Sequence, residues 1–407
     1  MRLLTAIAVI NLLHKAVAPR ELQGQAPDDD AWAVVREAID NFALIPAVYM
    51  VVATNSGDVV FTHSKGGVSE DSTQQIWSST KWVAGAAIMR EVERGTVELD
   101  APIHEYLPWW TSDPADSRSA ITLRHLLGFA SGYADVTQTS GYLLPLACTE
   151  ATRACAQQLF EQRQHPSAAG SRIDYNSIHL ALAGAVVEQA LGEPVYDTIN
   201  RNVLQPAGMT STSFWSHSND NPFLAGGISS TPRDYMAFLS SFVAGEIVSN
   251  STIAAMLSDA FPAANKTGLF AITAARYGLT TWYECPVFIA PNPDDWSQAC
   301  IDAQIHSSPG ASGTYPVVDR ANGFFYFFGM DGAVGLGAAI SAVFRDTLKP
   351  LVDAAVAGVA DRSLPTAVPA KRVACLTQLV AAEEERERIE GDRYDASARW
   401  LQLRQRC

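Results

Sequence analysis

Apolar residues recur at helical spacing through "AWAVVREAIDNF", which predicts a helix from Ala31 to about Phe42 with Asp30 as its N-cap. The pattern then switches to runs of β-branched residues. "AVYMVVATNSGDVVFTHSKG" reads as a β-hairpin turned at Asn55-Ser56-Gly57-Asp58. In "STKWVAGAAIMREVERG" the run Val83, Ala84, Ala86, Ala87 and Ile88 implies a buried helix, ended by Gly95 as a C-cap. From Ile121 to about Phe242 the pattern is mostly helical, with breaks at Gly132, Gly170, Gly192 and Pro206. "GASGTYPVVDRANGFFYFFGMD" predicts two strands turned between Asp319 and Gly323, and "GLGAAISAVFRDTLKPLVDAAVAG" a long helix after them. Helix and hairpin at one end, hairpin and helix at the other, imply an α+β fold. One antiparallel sheet would be built from both termini, flanked by helices, with a helical lobe alongside.

Composition narrows the picture. With 48% hydrophobic and 18% charged residues, the 407-residue chain can bury a large core. Its net charge of -14 repels phosphate backbones and anionic lipid, which excludes nucleic acid as an expected partner. Arg2, the apolar run from Leu3 to Leu13 and the small residues Ala16-Val17-Ala18 have the form of a signal peptide over 1–18, with a cut as late as Ala26. That run is too short to span a bilayer. A mature domain over 31–360 and a charged helical tail over 361–407 would follow, the tail reading as a solvated face. The six cysteines lie as near neighbours, Cys148 with Cys155, Cys285 with Cys300 and Cys375 with Cys407. None has zinc-ligand spacing, and an even count behind a signal peptide suggests disulfides, with nearest-neighbour pairing the expectation among many connectivities. Asn250 and Asn265 head two glycosylation triplets around an expected surface loop. The chain therefore reads as secreted or extracytoplasmic.

One tetrapeptide carries candidate chemistry. Ser78 and Lys81 in "WSSTKW" form the chain's only Ser-x-x-Lys, a spacing expected about once or twice by chance. At a helix start the two share a face, one turn apart. A serine hydroxyl needs a base within hydrogen-bond reach, and a lysine serves only if burial lowers its ammonium pKa. Rival signatures are missing: the chain has no Gly-x-Ser-x-Gly elbow, and His104-Glu105 lacks the second histidine of a zincin helix.

Beyond Ser78, "SSTKWVAGAAIMREVERGTVELDAPIHEYLPWW", "ITLRHLLGFASGY", "DYNSIHLALAGAVVEQALGEPVYDTINRNVLQPAGMTSTSF" and "AGGISSTPRDYMAFL" occur in an order and spacing that resemble the class C β-lactamase-like serine hydrolases. That family includes D-Ala-D-Ala carboxypeptidases and β-lactamase-like esterases. The resemblance covers roughly Ala31 to Gly358. It implies a β-lactamase/transpeptidase-like fold and an acyl-enzyme on Ser78, with Lys81 and Tyr175 handling protons. It also implies that Ser177 stands where the family's second motif has asparagine, and that Ser308-Pro309-Gly310 stands for a Lys-Thr-Gly or His-x-Gly triplet. Ala311 would then supply the oxyanion-hole N–H with that of Ser78. Pro309 suits an edge strand, and His306, on the same strand face as Ser308, is the candidate replacement for the missing cation.

These changes weaken recognition of an acylamino substrate. The reading is therefore a secreted serine hydrolase on a small-molecule ester, and less an amide. Two alternatives stay open: a non-catalytic binding or scaffold member of the fold, and a β-lactamase or D-Ala-D-Ala carboxypeptidase. No cofactor is implied.

Overall fold

A computed structural model describes residues 31–133, 148–162, 167–215, 218–266, 275–288, 296–330, 332 and 336–359. The expected signal peptide, Asp30, the charged tail and the Cys375–Cys407 pair lie outside the described residues. The elements used below are α1 (Ala33–Asn41), β1 (Val48–Thr54), β2 (Val59–Lys65), α2 (Thr80–Glu93), α3 (Thr152–Gln162), α4 (Ile178–Leu191), α5 (Pro232–Val243), β3 (Ala275–Tyr277), β4 (Trp282–Glu284), β5 (Ile305–Ser307), β6 (Tyr315–Asp319), β7 (Phe324–Met330) and α6 (Leu336–Val356).

Strands from both halves form one seven-stranded sheet in the order β2–β1–β7–β6–β5–β4–β3. Each pair with a recorded register is antiparallel, and β1 against β7, with Val48 opposite Met330, closes the chain's two ends on each other. The sequence "FFYFFGM" of β7 is buried along its whole length, because both faces of the sheet are covered. Successive side chains on a strand point to opposite faces. Phe328 meets Phe344 of α6 at 5.1 Å between ring centroids, whereas Phe327 stacks on Tyr235 of α5 at 5.1 Å. Helices α6 and α1 therefore cover one face, joined by Phe42 against Phe344 at 4.8 Å, and α5 covers the other.

Helix α2 lies inside the helical lobe. Trp82 is fully buried and meets Phe242 of α5 edge-on at 5.4 Å. Gly192 ends α4 in the left-handed conformation at φ 71°, as its position after the periodic run predicts.

Three expectations need correction. β5 is an interior strand, paired with β4 on one side and β6 on the other, so His306 does not lie on a sheet edge. Pro309 lies beyond the end of β5, where its missing N–H costs no ladder bond. Asn250 opens a helix (Asn250–Leu257) and Asn265 belongs to a two-residue strand (Asn265–Lys266), although both residues are exposed.

The paired cysteines among the described residues match the nearest-neighbour expectation: Cys148–Cys155 and Cys285–Cys300 are disulfides. No helix among the described residues is long and apolar enough to cross a membrane.

Candidate active site

Ser78 does not stand in α2 itself. It occupies a 3-10 turn, Trp77–Ser79, that feeds into the helix. Trp77 has φ 44°, left-handed backbone that a bulky residue adopts only at a cost. A small sheet anchors this turn: Gln74–Gln75 pairs with Ile228–Ser230, which pairs with Ser213–Phe214. The Thr80 hydroxyl accepts from the Ile228 N–H at 3.1 Å, and the Tyr235 hydroxyl donates to the Ser79 carbonyl at 2.8 Å.

From the first turn of α2, Lys81 reaches back. Its Nζ lies 2.8 Å from Ser78 Oγ and 2.5 Å from the carbonyl oxygen of Ala225. The side chain is buried, and burial lowers its pKa from 10.5 to about 7. The amine also sits over the Tyr175 ring, 4.8 Å from the centroid. Ser78 itself remains partly exposed. A half-deprotonated amine against an accessible hydroxyl is the arrangement a serine nucleophile requires.

Tyr175 completes the cluster. Burial raises its pKa to about 12, opposed by hydrogen bonds with Ser78 and with the Trp282 side chain. The phenol therefore stays protonated at neutral pH and can donate. Its segment is tied down on both sides: the Asp174 N–H donates to the Phe129 carbonyl at 2.9 Å, and the Asn176 amide donates to the Tyr133 carbonyl at 3.0 Å. His179 bridges the Ser131 hydroxyl at 2.9 Å and the Asp174 carbonyl at 2.8 Å. Asn176 Oδ1 accepts from the Ile178 N–H at 3.0 Å and so performs the capping that Ser177 does not.

The turn from Ser308 to Thr314 is sewn to the nucleophile segment. Ser79 Oγ donates to the Ser308 carbonyl at 2.7 Å, Ser308 Oγ to the Ser78 carbonyl at 2.9 Å, Ser312 Oγ to the Gln75 carbonyl at 2.8 Å and Thr314 Oγ1 to the Ile76 carbonyl at 3.0 Å. Gly310 is required here. A Cβ on it would come within 2.3 Å of the Ile76 carbonyl oxygen. The same turn carries Ala311, whose carbonyl accepts from the Ala338 N–H of α6 at 3.1 Å.

The remaining expected site residues behave differently. Ser308 donates its hydroxyl to the Ser78 carbonyl, so it is tied to the backbone of the Ser78 segment. Ser177 is 2% exposed, and its Oγ is buried without a hydrogen-bond partner. His306 is 2% exposed and lies against Tyr283 at 4.5 Å; burial, helped by Arg320, lowers its pKa to about 3. A neutral imidazole cannot replace the missing cation. Trp282 escaped sequence reasoning because it belongs to no motif and meets Tyr175 only when β4 joins the sheet.

A family model described as Beta-lactamase matches residues 35–355, most of the chain. The chain belongs to the beta-lactamase family. Among curated beta-lactamase relatives, it is 29% identical to Esterase EstB of Burkholderia gladioli over 45% of this chain and 50% of that protein. It is 23% identical to the D-alanyl-D-alanine-carboxypeptidase/endopeptidase AmpH of Escherichia coli K12 over 44% of this chain and 51% of that protein. The chain thus spans about half the length of these relatives. Among solved structures, EstCE1, a hydrolase with promiscuous acyltransferase activity, matches 79% of this chain and 97% of its own at TM-score 0.62 and 18% identity, which speaks for the fold alone.

Proposed function

We propose that this chain is a serine hydrolase acting through an acyl-enzyme on Ser78, with esters of small acyl groups as substrates. The observation that supports it most is the buried Lys81 amine 2.8 Å from Ser78 Oγ with its pKa at about 7. In this reading the neutral amine takes the Ser78 proton as Oγ attacks the acyl carbon. Negative charge gathers on the carbonyl oxygen, held by the N–H groups of Ser78 and Ala311. Tyr175 gives its proton to the departing alkoxide and regains one from Lys81. Water then attacks the ester on Ser78 with the same groups in reverse, releasing the acid and restoring the hydroxyl.

Esters are preferred over β-lactams or peptides because Ser177 and Ser308 turn no polar group toward a substrate amide or carboxylate. The likeness to a named esterase points the same way, and the two disulfides fit an extracytoplasmic setting. The likeness to a named carboxypeptidase keeps penicillin recognition as the second reading.

Intact-mass measurement after treatment with a fluorophosphonate, wild type beside Ser78→Ala, tests the nucleophile. One adduct on wild type alone is expected. An inert, folded wild type would favour a non-catalytic binding protein. Covalent capture of penicillin would move the substrate from ester to acylated peptide.

A further inference from the structure

The residue before the nucleophile is a tryptophan in left-handed backbone, at φ 44°. A glycine would occupy that conformation freely, whereas a bulky side chain there is strained and persists only where its surroundings hold it. What holds the Trp77 ring is Trp215, 5.2 Å away between centroids. Both residues are only partly buried.

Trp215 stands at the end of the small sheet that anchors the nucleophile turn, its N–H donating to the Gly227 carbonyl at 2.8 Å. Two residues earlier, Ala225 takes the hydrogen bond of the catalytic amine at 2.5 Å. Between them, Gly226 lets the segment close tightly, since a Cβ there would come within 2.9 Å of the Phe223 ring and 3.6 Å of the Trp77 backbone. The two indoles therefore belong to the same wall as Ser78 and the group that orients Lys81. The Trp215 indole N–H is buried with no acceptor among the described residues, so the part of the ring left partly exposed is its apolar surface.

The positions where the resemblance implies a cation supply none. His306 is buried and neutral, Ser308 is turned onto the Ser78 carbonyl, and the chain carries a net charge of -14. Each of these disfavours a substrate carboxylate.

We infer that Trp77 and Trp215 form the specificity wall of the site and select uncharged esters with an extended apolar acyl group. This rests on Ser78 being the nucleophile. The Trp77 ring would lie along the acyl chain, and the Trp215 indole packed against it would extend the apolar surface.

The test compares kcat/KM for p-nitrophenyl acetate, p-nitrophenyl octanoate and the mono-p-nitrophenyl ester of octanedioic acid. Wild type is expected to prefer octanoate to both, and by about tenfold or more over its carboxylate-bearing counterpart. Trp77→Gly, which suits the backbone and removes the ring, should lower the octanoate-to-acetate ratio by up to about tenfold, the worth of one aromatic contact. Trp77→Phe should restore part of it. Trp215→Phe, which shrinks the apolar surface backing Trp77, should lower the octanoate-to-acetate ratio too, by less than Trp77→Gly does. A ratio unchanged in Trp77→Gly, or a wild type that prefers the carboxylate, overturns the inference. A wild type that no fluorophosphonate labels overturns the nucleophile reading instead, so the two failures are distinguishable.

Discussion

Lys81 Nζ holds two oxygens at once, Ser78 Oγ at 2.8 Å and the Ala225 carbonyl at 2.5 Å. The carbonyl aims the amine at the hydroxyl, and burial favours the neutral form in which the amine can accept a proton. Because the reactive form is the neutral amine, kcat/KM for an ester should climb with unit slope up to about pH 7 and level off above it. Tyr175 acts protonated with a pKa of about 12, so it should produce no descending limb below about pH 10. A pH–rate profile on p-nitrophenyl acetate checks this, and an inflection near the ordinary lysine range would contradict the assigned base.

The same burial costs stability. The folded protein releases the Lys81 proton at about 7 and the unfolded chain at 10.5, so between those values the unfolded state binds more protons and stability rises with pH. Below pH 7 the full penalty applies, with a ceiling of ~5 kcal/mol at about 1.4 kcal/mol per tenfold change in acidity. Lys81→Met should therefore abolish turnover and raise Tm at pH 6, with a much smaller gain at pH 10. Equal gains at both pH values in thermal melts would refute the linkage.

Trp282 acts through Tyr175. Removing its hydrogen bond with Trp282→Phe keeps an aromatic ring beside Tyr175 and should lower kcat by about 5–10-fold, the worth of roughly 1 kcal/mol. KM should change little and fluorophosphonate labelling should persist. A rise in KM at constant kcat would show that Trp282 contacts substrate instead.

Behind the site, Arg345 of α6 is fully buried between Glu284, at 2.9 Å, and Asp346, at 2.9 Å. Glu284 also accepts from the hydroxyls of Tyr315 and Ser307, the residue next to Ser308. Truncating the cation strands a buried carboxylate. Arg345→Met should cost about 3–5 kcal/mol, and adding Glu284→Gln should recover part of that. Urea unfolding of the single and double variants measures it, and a double variant less stable than the single one would rule out the charge-burial explanation.

Much of the architecture was legible because it is written in local periodicity. The hairpin of β1 and β2, the buried helix α2, the turn before β7 and the αL glycine after α4 each follow from a few adjacent residues. The disulfides Cys148–Cys155 and Cys285–Cys300 were legible as well, since each closes a short loop. His306 was misplaced for the opposite reason. Whether a strand lies at a sheet's edge depends on its neighbours β4 and β6, which differ from it in chain position and leave no mark on its own residues.

The sequence by itself determined the fold class, the family's motifs and the pairing of Ser78 with Lys81, because residues one helical turn apart must meet. Only the tertiary structure decided which further groups surround that pair. The Ala225 carbonyl reaches Lys81 from a distant segment, and the Trp282 side chain reaches Tyr175 from another. The burial that brings the lysine to about 7 belongs to all of those segments together. A pKa set by desolvation is a property of the surrounding volume, and that volume exists only once the chain has closed around it.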